Sequence, residues 1–379
     1  MNIYLDDDLR AVRAQTADYV EREIVPKAEA WEAEGRVPRE VLRHMGGVGF
    51  FGLRVPEEYG GIGLGPLASV VFAEQLGRST YGGFTITVLA HTDLAMPYIT
   101  RFGSEEMRRR YLPAMMAGEA IGALAVTEPD AGSDVASIRT TARREGDGYV
   151  LDGTKTFITN GVEGDLVVVA AKTDPEAKGS RGISLFVVER GTPGFSVGKA
   201  LKKLGWRSSD TAELVFEDCF VPAGNLIGEE NRGFYYIMQN FQNERLILAG
   251  QSLGEAQQAL ELTVEHVRNR RAFGATLWEK QAIRQRLAMD QARIDAARQL
   301  TYHAAWLDSE GHDAVKAVSE VKALVGELVN DVLYDCVQFH GGMGYIAETA
   351  VERLYRDARI QSIGGGATEV MLEEVAKRM

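Results

Sequence analysis

The sequence predicts a multidomain α+β fold in three parts. These are an N-terminal helical domain (residues 1–118), a middle antiparallel β domain (119–225) and a C-terminal four-helix bundle (226–379). Three observations carry this reading. Helical periodicity dominates up to about Gly118. Short runs rich in Val, Ile and aromatic residues, bounded by Gly or charged turns, fill Glu119 to Asn225. Longer apolar stripes at helical spacing return from Leu226 onward. Long antiparallel helices with such stripes favour a bundle.

In the first part, Leu9, Val12, Thr16, Tyr19 and Val20 mark one helix face. Asp6 to Asp8 offer a cap and favourable charge at its start. Pro26 interrupts the pattern without having to end the helical region. Further helices are expected over Pro38–Met45, Leu67–Leu76 and Ser104–Met116. Ser104 followed by Glu105 and Glu106 is a helix start with acidic residues at the positive end of the dipole. Gly60, Gly61, Gly63 and Gly65 lack the G-x-G-x-x-G spacing and no strand precedes them, so this loop reads as structural.

In the middle part, Tyr149–Ile158, Leu166–Ala171, Ile183–Val188 and Ala212–Phe216 read as strands, and Pro222 and Gly224 mark the exit. Lys199, Lys202, Lys203 and Arg207 form either a solvated charged face or an attractor for ligand phosphates. In the last part, helices are expected over Leu246–Arg270, Glu279–Asp308 and Ala314–Phe339. The third carries a stripe of Val318, Val321, Val325, Leu328 and Val332.

Composition excludes several functions. At 379 residues the chain can bury a sizeable core, and its 45% apolar and 25% charged content is ordinary for a globular protein. A net charge of −12 argues against non-specific nucleic-acid binding, which needs a basic surface. Two cysteines, Cys219 and Cys336, support no disulfide framework and read as buried small apolar residues. The six histidines show no metal-ligand spacing, so no metal site is expected. No stretch is long and apolar enough to span a bilayer. MNIYLDDDL has no basic region followed by an apolar core. The expectation is a bacterial cytoplasmic protein without a membrane span.

One stretch organises the rest: TEPDAGSDV, Thr127 to Val135, after the short apolar run Ile121–Val126. Pro129 fixes its own φ, and Gly132 allows angles closed to other residues. The spacing fits a tight surface turn after a strand. It equally fits a loop laying N–H groups and hydroxyls along a flat polar ligand. The residues themselves closely resemble the flavin-binding signature of the acyl-CoA dehydrogenase family. DGTKTFITNG (Asp152–Gly161) and QFHGGMGY (Gln338–Tyr345) resemble the family's second and third signatures, in the family's order. GEENRGFYYIM (Gly228–Met238) and QNERL (Gln242–Leu246) look most like the long-chain and isovaleryl types.

The resemblance implies an activity. FAD takes a hydride from the β carbon of an acyl-CoA thioester while a carboxylate removes the α proton, giving a trans-2-enoyl-CoA. An α proton beside a thioester is too weakly acidic to leave unaided at neutral pH. Hydrogen bonds to the carbonyl oxygen and a base of raised pKa meet that need. By resemblance, Leu124, Val126, Thr127, Ser133, Phe157, Ile158 and Thr159 contact FAD. Many relatives carry Trp where Phe157 stands. RRAFG (Arg270–Gly274) resembles the loop that reaches a flavin in a neighbouring subunit. Arg270 would pair with the pyrophosphate, with Phe273, Gln281, Gln338, Gly341 and Gly342 nearby. The implied assembly is a homo-oligomer, a tetramer in kind, and the implied electron acceptor is electron-transfer flavoprotein.

The chain departs from the commonest family pattern near its end. Many relatives carry the catalytic glutamate in a Y-E-G-T segment. In SIGGGATEVM (Ser362–Met371), Gly365 takes that place and Ala367 replaces the threonine that contacts FAD. Thr368 offers a hydroxyl close by, and Glu369 keeps a position that contacts FAD in relatives. Long-chain and isovaleryl types use a glutamate from an earlier helix, and QNERL puts Glu244 there. Ser133, Gln242, Arg245, Gly365 and Gly366 fall where relatives contact the acyl-CoA. Other outcomes on this fold are an acyl-CoA oxidase, a flavin monooxygenase, or an acyl-CoA-binding scaffold without turnover.

Overall fold

The computed structural model describes residues 3–177 and 179–379. Seven helices come first: α1 (Asp7–Tyr19), α2 (Ala28–Glu34), α3 (Arg39–Gly47), α4 (Pro66–Gly77), α5 (Gly82–Leu89), α6 (Met96–Phe102) and α7 (Glu105–Met116). Asp6 caps α1 through Leu9 N–H at 2.8 Å, and Ser104 caps α7 through Met107 N–H at 3.1 Å. Two π-helical turns, Val20–Ile24 and Ala90–Ala95, lie just upstream of Pro26 and Pro97. Each proline withholds the N–H that the carbonyl four residues earlier would use, so the ladder widens instead of ending. Helix α5 carries little polar punctuation because every one of its residues, Gly82 to Leu89, is buried. A helix buried all round shows no amphipathic stripe.

The sheet contains β1 (Gly122–Ala125), β2 (Thr141–Glu145), β3 (Gly148–Thr159), β4 (Leu166–Lys172), β5 (Ile183–Glu189), β6 (Phe195–Ala200), β7 (Thr211–Pro222) and β8 (Leu226–Ile227). Its order is β6-β7-β3-β2-β4-β5-β8, mostly antiparallel. β1 adds a parallel pairing to β4 from Gly122↔Leu166 to Ala125↔Val169. β4 is buried on both faces, which explains its unbroken apolar run. Leu166, Val168 and Ala170 join the core shared with the helices, while Val167, Val169 and Ala171 join a separate core on the other face.

The C-terminal part begins with α8 (Gly233–Asn269), a helix of 37 residues. A short hairpin of β9 (Arg271–Ala272) and β10 (Ala275–Thr276) leads to α9 (Gln281–Ser309) and α10 (Val315–His340). Two shorter helices, α11 (Ala350–Ala358) and α12 (Thr368–Ala376), close the chain. The expected helix start at Leu246 lies 13 residues inside α8. Buried Asn240, Asn243, Glu244 and Arg245 interrupt the apolar stripe there and hide the helix from pattern reading. The Gly60–Gly65 loop is structural: a Cβ on Gly61 would meet the Val55 carbonyl oxygen at 2.0 Å. Lys203 turns inward to Thr211 Oγ1 at 2.9 Å, so it belongs to the protein's own packing. Both cysteines are buried.

Candidate active site

Glu244 projects from the first half of α8 into the contact with α6 and is only 5% exposed. Its Oε1 accepts from Asn240 Nδ2 at 3.1 Å and faces the Tyr98 hydroxyl at 3.5 Å. Among the described residues, no hydrogen bond falls on Oε2. Burial raises the Glu244 carboxyl to about 8, while Asn240, Arg245 and Tyr98 pull the other way. Burial and the neighbouring carboxylate also hold the Tyr98 phenol well above its ordinary value.

One turn further along α8, Leu248 meets the glycine segment. Gly365 and Gly366 both adopt positive φ, +64° and +108°, which favours glycine. Lys322 of α10 is buried and fastens this segment, donating to the carbonyls of Gln361 at 2.5 Å and Gly366 at 3.1 Å. A Cβ on Gly366 would lie 3.5 Å from Arg245 Nε. Arg245 Nε and Gln242 Oε1 are buried polar atoms without protein partners. Such atoms call for a ligand or water. The Thr368 hydroxyl, next to Ala367, donates to Glu327 at 2.9 Å. Glu369 is exposed in the first turn of α12.

The two middle-domain signatures pack against each other. Lys155 of β3 is buried and donates to Val126 O at 3.0 Å and to Glu128 Oε1 at 2.7 Å. Thr156 N–H donates to Thr127 O at 2.9 Å. Glu128 also accepts from the N–H groups of Arg139 and Thr140, at 2.5 and 2.9 Å. The register of β3 against β7 breaks between Lys155 and Ile158. Phe157 sits in that break at φ +59° and is 68% exposed. A large aromatic ring held out of a sheet by a bulge is a ready stacking surface. Ile158 is buried, Thr159 and Leu124 are partly covered, and Ser133 is exposed on the TEPDAGSDV turn.

The remaining cofactor candidates lie at the far end of α8. Arg270 is exposed there and Phe273, at the hairpin tip, is 96% exposed. Gln338 lies in the last turn of α10, and Gly341 caps that helix at φ +61°. A Cβ on Gly341 or Gly342 would meet nothing within 4 Å. The His266 and His340 rings stack at 4.3 Å, joining the ends of α8 and α10. Gln281 is exposed at the start of α9. At a rise of 1.5 Å per residue, about 38 Å of helix separates Glu244 from Asn269. The candidates of the C-terminal part therefore form two groups, one around Glu244 and the glycine segment and one at the opposite end of α8, beside the separate middle-domain cluster on β3.

Sequence reading passed over four residues: Tyr98, Asn240, Glu128 and Lys155. A lysine inside the run TKTF is an available signal, since a charged side chain that a strand turns into the interior needs a partner. Tyr98 and Asn240 carry none, because their meaning depends on how α6 crosses α8.

The fold and these clusters define a flavoprotein type of acyl-thioester oxidoreductase. Family models described as acyl-CoA dehydrogenase, N-terminal, middle and C-terminal domains match residues 6–119, 123–219 and 231–379. Long-chain specific acyl-CoA dehydrogenase, mitochondrial, of Sus scrofa is 42% identical over 371 residues, covering 97% of this chain and 85% of that protein. The crystal structure of an acyl-CoA dehydrogenase from Geobacillus kaustophilus matches at TM-score 0.95 and 41% identity, covering 100% of this chain and 99% of that one. An FAD complex of PigA matches at TM-score 0.95 and 29% identity, covering 100% and 99%. This chain belongs to the acyl-CoA dehydrogenase family.

Proposed function

We propose that the chain removes the α and β hydrogens of an acyl-CoA thioester, giving the trans-2-enoyl-CoA, with FAD as cofactor and Glu244 as the α-proton base. The observation that carries this reading is a buried carboxylate one helical turn from Leu248, beside a glycine segment bare of side chains. An ordinary carboxylate is a weak base for such a proton. Burial moves Glu244 to about 8, closer to the task. Oε2, without a hydrogen-bond partner among the described residues, receives the proton. Gly365 and Gly366 let the thioester approach the backbone, and the Gly365 N–H serves its carbonyl oxygen, where charge develops. Gln242 and Arg245 offer their unpartnered polar atoms to the same ligand.

FAD, when bound, supplies the acceptor for the β hydride. The residues present fit it: the exposed Phe157 ring offers a flat apolar face, and Val126 and Thr127 offer backbone held rigid by β3. Leu124, Ser133, Ile158 and Thr159 complete that wall. Arg270, Phe273, Gln281, Gln338, Gly341, Gly342 and Glu369 would hold the remainder, with Arg270 on the pyrophosphate. The length of α8 supports sharing between subunits, since one dinucleotide does not bridge both ends. The reading therefore includes a homo-oligomer, a tetramer in kind. It also includes onward transfer of electrons to an electron-transfer flavoprotein. That step is tested by rapid reduction of a purified carrier with negligible peroxide formation.

The deciding experiment is Glu244→Gln. The variant should stay yellow and bind acyl-CoA, yet lose about 10²–10⁴-fold in anaerobic flavin bleaching. Bleaching at nearly the wild-type rate would remove Glu244 from the mechanism.

A further inference from the structure

The Glu244 carboxylate is held by a chain of contacts that starts at a proline. In an α-helix the Asp93 carbonyl would accept from the N–H of residue 97, but Pro97 has none. Ala90–Ala95 is accordingly π-helical. The Asp93 carbonyl instead accepts from Asn240 Nδ2 at 3.1 Å and Asn243 Nδ2 at 3.3 Å, both on α8. A buried carbonyl needs such a partner. Asn240 Nδ2 carries two hydrogens, and its second bond goes to Glu244 Oε1 at 3.1 Å. Asn240 Oδ1 is buried and unpartnered, so the amide orientation is set by its donors alone.

The same crossing is braced on its other side. The Asp93 carboxylate accepts from Ser69 Oγ at 2.6 Å and Thr92 Oγ1 at 2.7 Å, with Arg54 at 3.8 Å. Arg54 also bonds Asn243 Oδ1. Asp93 therefore cannot swing away without breaking several bonds in the interior.

We infer that Pro97 and Asn240 are positioning residues for proton abstraction: Pro97 frees the Asp93 carbonyl, the carbonyl orients the Asn240 amide, and the amide anchors Oε1 so that Oε2 takes the α proton. The inference rests on Glu244 being the base. The charged and titratable groups facing Glu244 are Asp93 and Tyr98 from the crossing segment and Arg245 from its own helix. A hydrogen bond donated to a carboxylate favours the ionised form. Losing it shifts ionisation to higher pH.

The test uses the FAD-loaded protein and two readouts. The first is an infrared titration of the Glu244 carboxylic C=O band, identified by its loss in Glu244→Gln, with no acyl-CoA present. Asn240→Ala should raise the midpoint by about one pH unit. Asn240→Asp, which loses the donor and adds a like charge, should raise it further. Pro97→Ala, which returns an N–H to compete for the Asp93 carbonyl, should shift it in the same direction by less. The second readout is anaerobic bleaching by palmitoyl-CoA and isovaleryl-CoA, whose acid limb should move by the same amounts. Unmoved midpoints in both Asn240 variants overturn the inference. An unmoved midpoint in folded Pro97→Ala overturns the role of the proline. Full bleaching by Glu244→Gln would remove the base assignment instead, and the infrared shifts would still report on the anchoring.

Discussion

A Cβ atom on Gly365 would lie 2.2 Å from Cδ1 of Leu248. In this arrangement Leu248 occupies the place where many relatives carry the side chain of their base. Glycine at 365 is also favoured by its φ of +64°. A glutamate at 365 would therefore have to displace the end of the Leu248 side chain, which projects from α8.

Moving the base is therefore expected to fail without further change. Glu244→Gly with Gly365→Glu should bleach its flavin about 10²–10⁴-fold more slowly than wild type. The left-handed backbone at 365 adds roughly 1–2 kcal/mol of strain. Adding Leu248→Ala opens the space and should recover part of the rate. Recovery in the double variant, with Leu248 intact, would show that α8 yields more than close packing allows. Single-turnover bleaching with one acyl-CoA measures all three.

Lys155 anchors the candidate flavin wall through Val126 O and Glu128. Burial pushes the Glu128 carboxyl up, but Lys155, Thr140 and Arg139 outweigh this and hold it below its ordinary value. Lys155→Met leaves that carboxylate buried without a counter-charge, which costs about 3–5 kcal/mol. Denaturant unfolding should report this loss. FAD should also dissociate more readily from the folded variant, because the Val126 carbonyl has lost its donor. Replacing Lys155 and Glu128 together by Met and Leu should restore most of the stability and none of the Val126 anchor.

Much of this molecule is legible in its sequence. Strands β4 and β5 announce themselves by short, largely apolar runs rich in Val, and α10 by its valine stripe. Helix α5 does not, because burial on every side erases periodicity. The start of α8 is masked by the polar residues that the candidate site requires. Glu244 was accessible through QNERL, whereas its partners Tyr98 and Asn240 depend on a helix crossing that no local pattern encodes. The π turn before Pro97 follows from proline chemistry, but which side chains take up the freed carbonyl does not.

Arg270 is exposed at the end of α8, and among the described residues its side chain makes no hydrogen bond or ion pair. Arg270→Ala should therefore leave thermal unfolding of the apoprotein unchanged. It should raise the dissociation constant for FAD at least several-fold, through loss of a charge-assisted phosphate contact. Sedimentation of the yellow protein should give an oligomer. A monomer retaining stoichiometric FAD would contradict sharing of the site between subunits.

Glu255 offers a stability test independent of catalysis. It is fully buried on α8, accepting from Gln251 Nε2 at 2.7 Å and Gln361 Nε2 at 3.4 Å. Burial raises its carboxyl to about 8; Asp357 repels it in the same direction, while Gln251 and Gln361 oppose. The unfolded chain ionises near the ordinary value of about 4.3. Between that pH and about 8 the folded state binds the extra proton, so stability falls as pH rises through this window. Gln251 Oε1 and Gln361 Oε1 are both buried without donors. A glutamine at 255 can supply N–H groups to them after the neighbouring amides turn. Glu255→Gln should therefore raise the melting temperature at pH 8, with the gain shrinking to nothing near pH 4.5. Scanning calorimetry of both proteins across that range measures the difference directly. A gain that is constant with pH would assign the effect to packing and leave the carboxyl at its ordinary value.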